Sequence, residues 1–334
     1  MAICIDNINI FSRFDAIAAQ LEDWHDINAS INLFDYEEKM LKFSELLALM
    51  MKITGRYFGK KLCSDENKFR AIVYKAPGQD TGKIIFATAA GSWDNGASAF
   101  TNNGGHSFAK TLENVVGNHI NIKFLAYNNA PPGVPNILLT CIYTSGVIIL
   151  STAADSAAWI VHTVPGFPTA RTPYSWPAAE NARGHLLICL TISESQINVI
   201  AASLLLVQPM VHYNDIPETE TTGMPYFNKL AGGKIPTLPP FTSRRSIRTE
   251  NAGGSQRHIR LIKSPAAVRD HNTNLEADIT NWAVSDPGNI FCHIDKPYFK
   301  NQTKEPAMAV CIENNDIFAR FNEIAAQEMT FVTP

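Results

Sequence analysis

Two short segments hold side chains that could carry out acid–base or nucleophilic chemistry. His162 ends an apolar run in Trp159-Ile-Val-His-Thr-Val-Pro-Gly-Phe-Pro168, and Tyr143 begins Tyr143-Thr-Ser-Gly-Val147. A histidine exchanges protons near neutral pH and can attack as a nucleophile, whereas a tyrosine, with a pKa of about 10, stays protonated unless a base activates it. His162 is therefore the candidate catalytic side chain. A packed, hydrogen-bonded histidine on a strand is the favoured interpretation.

Other groupings of reactive side chains lack the context that their chemistry needs. Ser151, Asp155 and His162 could be read as a triad, but no strand–Gly-x-Ser-x-Gly–helix pattern surrounds them. His271 could be a displaced catalytic histidine, but no lysine follows it at the required spacing, and a polar loop histidine is the simpler interpretation. The six cysteines form no Cys-x-x-Cys pair, so we expect buried thiols and neither a metal site nor a cofactor.

One segment of the chain is strongly basic. Residues 244–263 contain one acidic residue, Glu250, and six cations: Arg244, Arg245, Arg248, Arg257, Arg260 and Lys263. Such a group can neutralise phosphates, although few aromatic side chains lie between the cations to stack on bases. The segment is a candidate DNA-binding patch, and a solvated basic loop or a contact with an acidic partner is the favoured alternative.

Composition and charge exclude several classes of protein. The 334 residues include 28 Lys and Arg against 31 Asp and Glu, a net charge of -3. This is ordinary globular composition, unlike that of a disordered chain, a collagen or a basic nucleic-acid coat. The sequence shows no run long enough to span a membrane and no secretory signal. We therefore expect a cytoplasmic or otherwise intracellular protein that does not contact a membrane.

Short apolar runs from Phe69 onward predict strands with helices between them, and hence an α/β chain of the α+β type. The predicted strands are Phe69–Tyr74, Lys83–Thr88, Asn121–Tyr127, Ile137–Tyr143, Gly146–Leu150, Trp159–Val164, Leu186–Ile192, Ile259–Ile262, Trp282–Val284 and Phe291–Ile294. Residues 105–116 and 194–207 are predicted helices. The predicted units are an N-terminal helical extension (1–66), a first half (67–212), Pro- and Gly-rich loops (213–258) and the remainder of a second half (259–334).

The first twenty residues recur near the C-terminus. Residues 1–20 read MAICIDNINIFSRFDAIAAQ and residues 308–327 read MAVCIENNDIFARFNEIAAQ, with 13 of 20 positions identical. Each copy predicts a short strand, an Asn-rich turn and an amphipathic helix. The apolar faces of the two helices are the candidate assembly surface: Ile10, Phe11, Phe14, Ile17, Ile317, Phe318, Phe321 and Ile324.

We expect the C-terminal copy to complete the sheet of the second half. The N-terminal copy then either docks on an equivalent groove of the first half or joins another protomer. Exchange of identical elements is a low-cost route to oligomers, so the repeat predicts a homo-oligomer or a larger assembly.

Several further segments occur in a characteristic order. They are Ala71–Lys75, Tyr127–Pro132, Trp159–Pro168, Tyr174–Pro177 followed by Leu186–Cys189, Trp282–Ser285, and Ala309–Cys311. Together they resemble the deoxyribonuclease II family of the phospholipase D-like superfamily, over roughly residues 67–327. The resemblance implies two phospholipase D-like halves that form one pseudo-symmetric unit. It also matches Cys189 and Cys292 to cysteines that are disulfide-bonded in secreted members, although we expect thiols in an intracellular protein.

In that family each half contributes one His-x-Lys motif to a shared site. One histidine attacks phosphorus, the other protonates the leaving oxygen, and the two lysines neutralise the phosphoryl oxygens without a metal. Here Tyr143 and Ser145 stand at the first motif, and Ile279 and Asn281 stand at the second. All four positions are changed, so we predict no catalytic residue there. His162 lies where the family also has a histidine.

The sequence therefore predicts a catalytically degenerate relative of deoxyribonuclease II that serves as a self-assembling structural or binding protein. One alternative is an intracellular DNA-binding protein that uses Arg244–Lys263. Another is a divergent metal-independent DNA phosphodiesterase with a site rebuilt around His162 and Tyr143.

Overall fold

The structure is a computed structural model that describes residues 2–5, 70–86, 94–96, 98–134, 145–233, 244–247, 258–261, 266–268, 271–273, 277–286, 288–295 and 308–327. The strands are β1 (Ala2–Ile5), β2 (Arg70–Lys75), β3 (Lys83–Phe86), β4 (Asp94–Asn95), β5 (Ile122–Tyr127), β6 (Ser145–Ser151), β7 (Ser156–His162), β8 (His185–Ile192), β9 (Val211–Asn214), β10 (Arg244–Ile247), β11 (His258–Leu261), β12 (Ala266–Val268), β13 (His271–Thr273), β14 (Trp282–Asp286), β15 (Ile290–Ile294) and β16 (Ala309–Glu313). The α-helices are α1 (Ser107–Thr111), α2 (Glu113–Val116), α3 (Ile197–Val207), α4 (Pro225–Ala231) and α5 (Asn315–Gln327).

An eight-stranded antiparallel sheet has the order β4-β3-β2-β8-β7-β6-β5-β9. Its central strands are continuous apolar runs, which is typical of strands buried on both faces. Ile148, Trp159 and Leu190 belong to the core cluster that also contains α3, α4 and the second sheet. Val147 and Ile160 belong to the cluster with α1 and α2 on the opposite face.

The second sheet has six strands in the order β10-β1-β16-β15-β14-β11. β1 lies parallel to both β10 and β16, and the other neighbours are antiparallel. β1 and β16 are the strands of the two repeat copies, and they pair in register from Ala2 opposite Ala309 to Ile5 opposite Ile312. The N-terminal strand thus lies beside its own copy in the second sheet, which neither expected placement included.

The C-terminal helix α5 packs against one face of the six-stranded sheet. Its side chains Ile317, Phe321 and Ile324 are buried in the shared core. The Phe321 ring stacks on Phe291 with 4.0 Å between centroids, and it meets Trp282 edge-on at 4.7 Å. The sheet and helix predicted for the C-terminal copy are therefore confirmed.

The mixed α/β fold is confirmed, and each predicted strand within the described residues is present with shifted ends. The strand predicted at 137–143 and the helices of residues 6–66 lie outside the described residues. The prediction of loops throughout 213–258 is wrong, because α4 and β10 lie there. α4 has only two buried apolar side chains, Phe227 and Leu230, so its periodicity is too short to identify from sequence.

Within the residues that the structure describes, none of the helices has the length and apolar character that a membrane crossing needs.

Candidate functional site

The first motif position lies at the end of the paired strands β6 and β7. Ser145 and His162 are register partners there. The Ser145 hydroxyl is buried and donates a hydrogen bond to Asn129 Oδ1 at 2.9 Å. Ser145 therefore supplies no cation where the family resemblance places a lysine, and its hydroxyl is already held by a neighbour. Tyr143 lies outside the described residues.

Gly146 follows Ser145 and has a structural reason to be glycine. A Cβ atom at this position would lie 2.3 Å from the Ile160 carbonyl oxygen and 2.5 Å from the Tyr127 hydroxyl oxygen. Both distances are far below van der Waals contact. The glycine of this motif is thus required by strand packing, whatever chemistry its neighbours perform.

His162 is completely enclosed by the fold. Its Nδ1 accepts a hydrogen bond from the Val164 N–H at 3.2 Å, which assigns the ring proton to Nε2. Nε2 is buried and has no hydrogen-bond partner among the described residues. Burial lowers the pKa of His162 to about 3, and repulsion from the nearby rings of His185, His212 and His293 in their protonated forms adds to the shift.

The tautomer of His162 decides what the ring can do. Nucleophilic attack requires a lone pair on the attacking nitrogen, and the lone pair of Nδ1 is engaged while Nε2 carries the proton. Proton donation to a leaving group requires a ring charged near the working pH, which a pKa of about 3 prevents. The arrangement matches the packed histidine that the sequence favours.

The second motif position lies in the turn that precedes β14. Ile279 has no group that can transfer a proton. Asn281 has a left-handed φ of 39°, and its Nδ2 donates to the Ile279 carbonyl oxygen at 3.1 Å. Behind the turn, the buried His293 donates from Nδ1 to the Thr280 carbonyl oxygen at 2.7 Å, and burial lowers its pKa to about 4.

Asp278 fastens this turn to the eight-stranded sheet. Its carboxylate accepts hydrogen bonds from the Tyr74 hydroxyl at 2.5 Å and from the Thr273 hydroxyl at 2.6 Å. It also accepts the Thr280 hydroxyl at 2.6 Å and the Thr280 N–H at 3.0 Å. A Cβ atom on the adjacent Gly184 would lie 2.7 Å from Asp278 Oδ1, so only glycine fits there. Asp278 therefore has a bracing role.

A second buried polar group lies near the end of β2 and was not predicted from sequence. Lys75 Nζ donates to the carbonyl oxygens of Ala76, Asn181 and Arg183 at 3.2, 2.9 and 2.7 Å. Burial lowers the Lys75 pKa to about 8. Its position at the end of an apolar strand is the only sequence signal for it. Backbone carbonyl oxygens hold the ammonium, so it is not available to a phosphoryl group.

His185 joins Glu180 to Thr163 in the same region. Its Nε2 lies 3.0 Å from Glu180 Oε2, and its Nδ1 lies 3.1 Å from the Thr163 hydroxyl oxygen. Desolvation by burial lowers the pKa of His185. The group ties the 3₁₀ turn at Ala178–Ala182 to strands β7 and β8.

The other predicted constellations do not assemble as sites. Ser151 pairs with Ser156 at one end of β6 and β7, whereas His162 lies at the other end, about 20 Å away at ~3.4 Å per residue. This excludes the Ser151–Asp155–His162 triad. His271 lies on strand β13, paired with Val268, rather than in a loop. Within the described residues, His, Cys, Asp and Glu side chains form no group of three suited to a metal ion.

The basic segment is divided between two sheet edges. Arg244 and Arg245 lie on β10 and Arg260 lies on β11, which are the opposite edge strands of the six-stranded sheet. Five strand spacings of about 4.8 Å separate those edges by about 24 Å. Arg248, Arg257 and Lys263 lie outside the described residues. The backbone positions of the described arginines are thus divided between two opposite edges of the sheet.

Only half of the candidate assembly residues lie within the described part of the chain. Ile317, Phe321 and Ile324 are buried in the core of their own chain, and Phe318 packs against it partly exposed. They could contact another protomer only if α5 were exchanged. Ile10, Phe11, Phe14 and Ile17 lie outside the described residues.

The prediction that the cysteines are thiols is wrong at three positions. Cys292 and Cys311 form a disulfide between β15 and β16, with 4.0 Å between their Cα atoms. Cys189 is also disulfide-bonded. Sequence spacing does not identify this pairing, because residues 19 apart become neighbours only when β15 and β16 align.

Comparisons with known proteins identify the family. The family model described as deoxyribonuclease II matches residues 72–278, more than half of the chain. Plancitoxin-1 of Acanthaster planci is 28% identical over 150 residues, which cover 44% of this chain and 41% of that protein. Deoxyribonuclease-2-alpha of Sus scrofa is 27% identical over 170 residues, 50% of this chain and 46% of that protein.

Deoxyribonuclease-2-beta of Homo sapiens is 24% identical over 171 residues, 50% of this chain and 45% of that protein. Each alignment spans less than half the length of the curated relative. The family match nevertheless includes the strands that carry Ser145 and His162 and ends at Asp278, the residue that braces the second motif position. On these grounds the chain belongs to the deoxyribonuclease II family.

Proposed function

We propose that this chain is a catalytically degenerate member of its family that acts as a self-assembling structural or binding protein. The observation that carries the proposal is the chemistry at the described motif positions. Ser145 is buried and hydrogen-bonded, Ile279 cannot ionise, and the Asn281 amide is bound to its own turn. These positions supply no nucleophile, no acid and no positive charge.

The expected loss of rate is large. Removing one well-placed donor to a developing oxyanion costs an enzyme about 10²–10³ in rate. In this chain two cations and two histidines are replaced, counting Tyr143 from the sequence. His162 does not compensate, because its free nitrogen is protonated and buried. Lys75 does not compensate either, because three carbonyl oxygens hold its ammonium.

Support for self-assembly comes from comparing burial with identity in the two copies. Eight side chains of the C-terminal copy are buried: Met308, Val310, Cys311, Ile312, Ile317, Phe321, Ile324 and Ala325. Seven of these eight are identical at the equivalent N-terminal positions, and the eighth is Ile3 in place of Val310. The other six differences between the copies fall at positions that are not buried.

The N-terminal copy thus retains the side chains that fill the socket formed by β15, Trp282 and Phe291. Within one chain that socket is already filled by α5. We propose that the N-terminal copy of one protomer exchanges with α5 of another, since the two carry the same buried face.

The disulfides support a compartment other than the predicted one. Disulfides persist in oxidising environments and are rare in the cytosol of mesophiles. We propose that the protein matures where Cys189 and the Cys292–Cys311 pair can be oxidised.

The proposal that catalysis is lost is tested by plasmid cleavage in EDTA, from pH 4.5 to 7.5, with protein in molar excess. Porcine deoxyribonuclease-2-alpha serves as the positive control, and His162→Ala serves as the matched variant. We expect the wild-type chain and His162→Ala to give the same background nicking. Cleavage by the wild-type chain that disappears in His162→Ala would overturn the proposal and favour a rebuilt phosphodiesterase.

A further inference from the structure

Three cysteines occupy matching register positions on three adjacent strands. Cys292 on β15 lies opposite Cys311 on β16, and these two form the disulfide. Cys4 on β1 lies opposite Cys311 on the other side of β16. Register partners on neighbouring strands share a face of the sheet. The positions of Cys4, Cys311 and Cys292 therefore form one row across the sheet.

The strand spacing places consecutive members of this row at bonding distance. Neighbouring strands lie about 4.8 Å apart, within the roughly 4.4–6.8 Å between Cα atoms that a disulfide usually spans. Cys4 and Cys292 are two strand spacings apart, about 10 Å, which is too far for a direct bond. Cys311 is thus the one member of the row that either neighbour can reach.

The surroundings favour exchange within the row over exchange with thiols from solution. Cys292 and Cys311 are 7% and 5% exposed, so an external thiol has little access to their sulfurs. Cys189 packs in the core cluster on the opposite face of the eight-stranded sheet from the second sheet, so its disulfide is remote from the row. The repeat accounts for the third cysteine, because Cys4 is the counterpart of Cys311.

We propose that Cys4, Cys311 and Cys292 form an intrachain thiol–disulfide exchange site. The Cys4 thiolate attacks Sγ of Cys311, the Cys292–Cys311 bond breaks, and a Cys4–Cys311 bond forms. Cys292 leaves as a thiolate and takes up the proton that Cys4 released. One disulfide and one thiol are present before and after the step, so no oxidant or reductant is consumed. The exchange joins the two repeat copies covalently and frees Cys292.

The decisive variant is Cys292→Ser, which removes the cysteine that competes with Cys4 for Cys311. After air oxidation, alkylation and tryptic digestion, we expect mass spectrometry to find residues 1–13 disulfide-linked to residues 305–320. The linkage should be lost completely in Cys292→Ser/Cys4→Ser. It should also be lost in the register control Cys292→Ser/Cys4→Ser/Ile5→Cys, because the adjacent residue of a strand lies on the opposite face.

The wild-type chain provides a second measurement that does not depend on the fold of a variant. Acid-quenched samples taken between pH 6 and 8.5 should contain both the Cys292–Cys311 and the Cys4–Cys311 linkages, with equilibration faster at high pH as thiolate accumulates. A wild-type chain in which Cys4 is fully alkylated and only Cys292–Cys311 is found would overturn the proposal. So would a Cys292→Ser chain with Cys311 fully alkylated.

Mixing isotope-labelled and unlabelled chains before oxidation separates intrachain from interchain bonds. Linked peptides of a single isotope composition are expected. Mixed-isotope linkages would overturn the intrachain assignment and would instead place β1 of one protomer on the sheet of another. Because this readout is a covalent bond, it is independent of whether the chain cleaves DNA. Mixed-isotope linkages are the result that exchange of the N-terminal copy between protomers would give.

Discussion

At the residue scale, the glycines and the aspartate beside the two motif positions have packing roles that do not depend on catalysis. Gly146 is required by its contacts with Tyr127 and Ile160, and Gly184 is required by its contact with Asp278. Asp278 accepts four hydrogen bonds, and the one from the Tyr74 hydroxyl joins the turn before β14 to β2. Sequence similarity at these residues therefore reflects the fold. Whether the site can catalyse a reaction must be judged from the side chains at the neighbouring motif positions.

The bond between Tyr74 and Asp278 can be tested by removing one hydroxyl. Burial raises the pKa of Tyr74 well above its ordinary value, with further contributions from Asp278, so the hydroxyl stays protonated and donates. Tyr74→Phe should lower the free energy of unfolding by about 1.5–3 kcal/mol, the range for a hydrogen bond to a charged group. Urea denaturation measures this change in the free energy of unfolding.

The control for this prediction is Tyr226→Phe, since Tyr226 is 40% exposed. That substitution should change the free energy of unfolding by less than about 0.5 kcal/mol. Equal effects of the two substitutions would show that Asp278 does not brace the turn through Tyr74.

At the scale of elements, the repeated segment (residues 1–20 and 308–327) is the feature with the clearest consequence. β16 and α5 fill the socket against Trp282 and Phe291, and β1 extends the same sheet beside β16. The residues that are buried in the C-terminal copy are nearly all identical in the N-terminal copy, and this supports the proposed exchange between protomers.

Assembly through the N-terminal copy is tested by Phe14→Glu, which places a charge at the position equivalent to the fully buried Phe321. We expect the native mass to fall to that of a monomer, because a carboxylate is costly to bury in an apolar socket. Multi-angle light scattering gives the mass. The matched variant Ala16→Glu introduces the same charge at the position of exposed Glu323 and should leave the mass unchanged. Identical masses for Phe14→Glu and the wild-type chain would refute exchange.

Sequence patterns predicted the strands well because most are long apolar runs. β7 and β8 could be located to within three residues at either end. The order of strands could not be read in this way, since β1 joins β10 and β16 across more than 240 residues. Nor could the state of His162, because its tautomer and lowered pKa depend on the Val164 N–H and on histidines from β8, β9 and β15.

For the whole molecule, several histidines are neutral and buried where its layers meet. His162 on β7, His185 on β8 and His293 on β15 are all nearly inaccessible to solvent. Desolvation by burial lowers the pKa of each of them, to about 3 for His162 and about 4 for His293. The folded state therefore binds fewer protons than the unfolded chain in moderately acidic solution.

These histidines predict how stability depends on pH. Their folded pKa values lie below the unfolded value of about 6.5, so their contribution is full above that pH and is lost as pH falls toward 4 and then 3. For each fully shifted histidine, the free energy of unfolding should fall by about 2 kcal/mol between pH 7 and pH 5. Denaturation midpoints across this range measure the slope.

Substitution of one histidine isolates its share of the slope. His162→Gln should reduce the pH dependence by about one proton, whereas Val161→Ala on the same strand should destabilise the chain and leave the slope unchanged. A wild-type slope in His162→Gln would show that this side chain is not buried as a neutral ring.

The placement of the copies at the two ends of the chain has a consequence for biosynthesis. At about 5–20 residues per second, residues 1–20 leave the ribosome roughly 15–60 s before residues 308–327. β15 is also made before β16, so the nascent sheet meets the N-terminal copy while its C-terminal counterpart does not yet exist. The finished sheet, with β16 next to β15 and β1 displaced one strand outward, is the outcome in which the last-made copy takes the inner position.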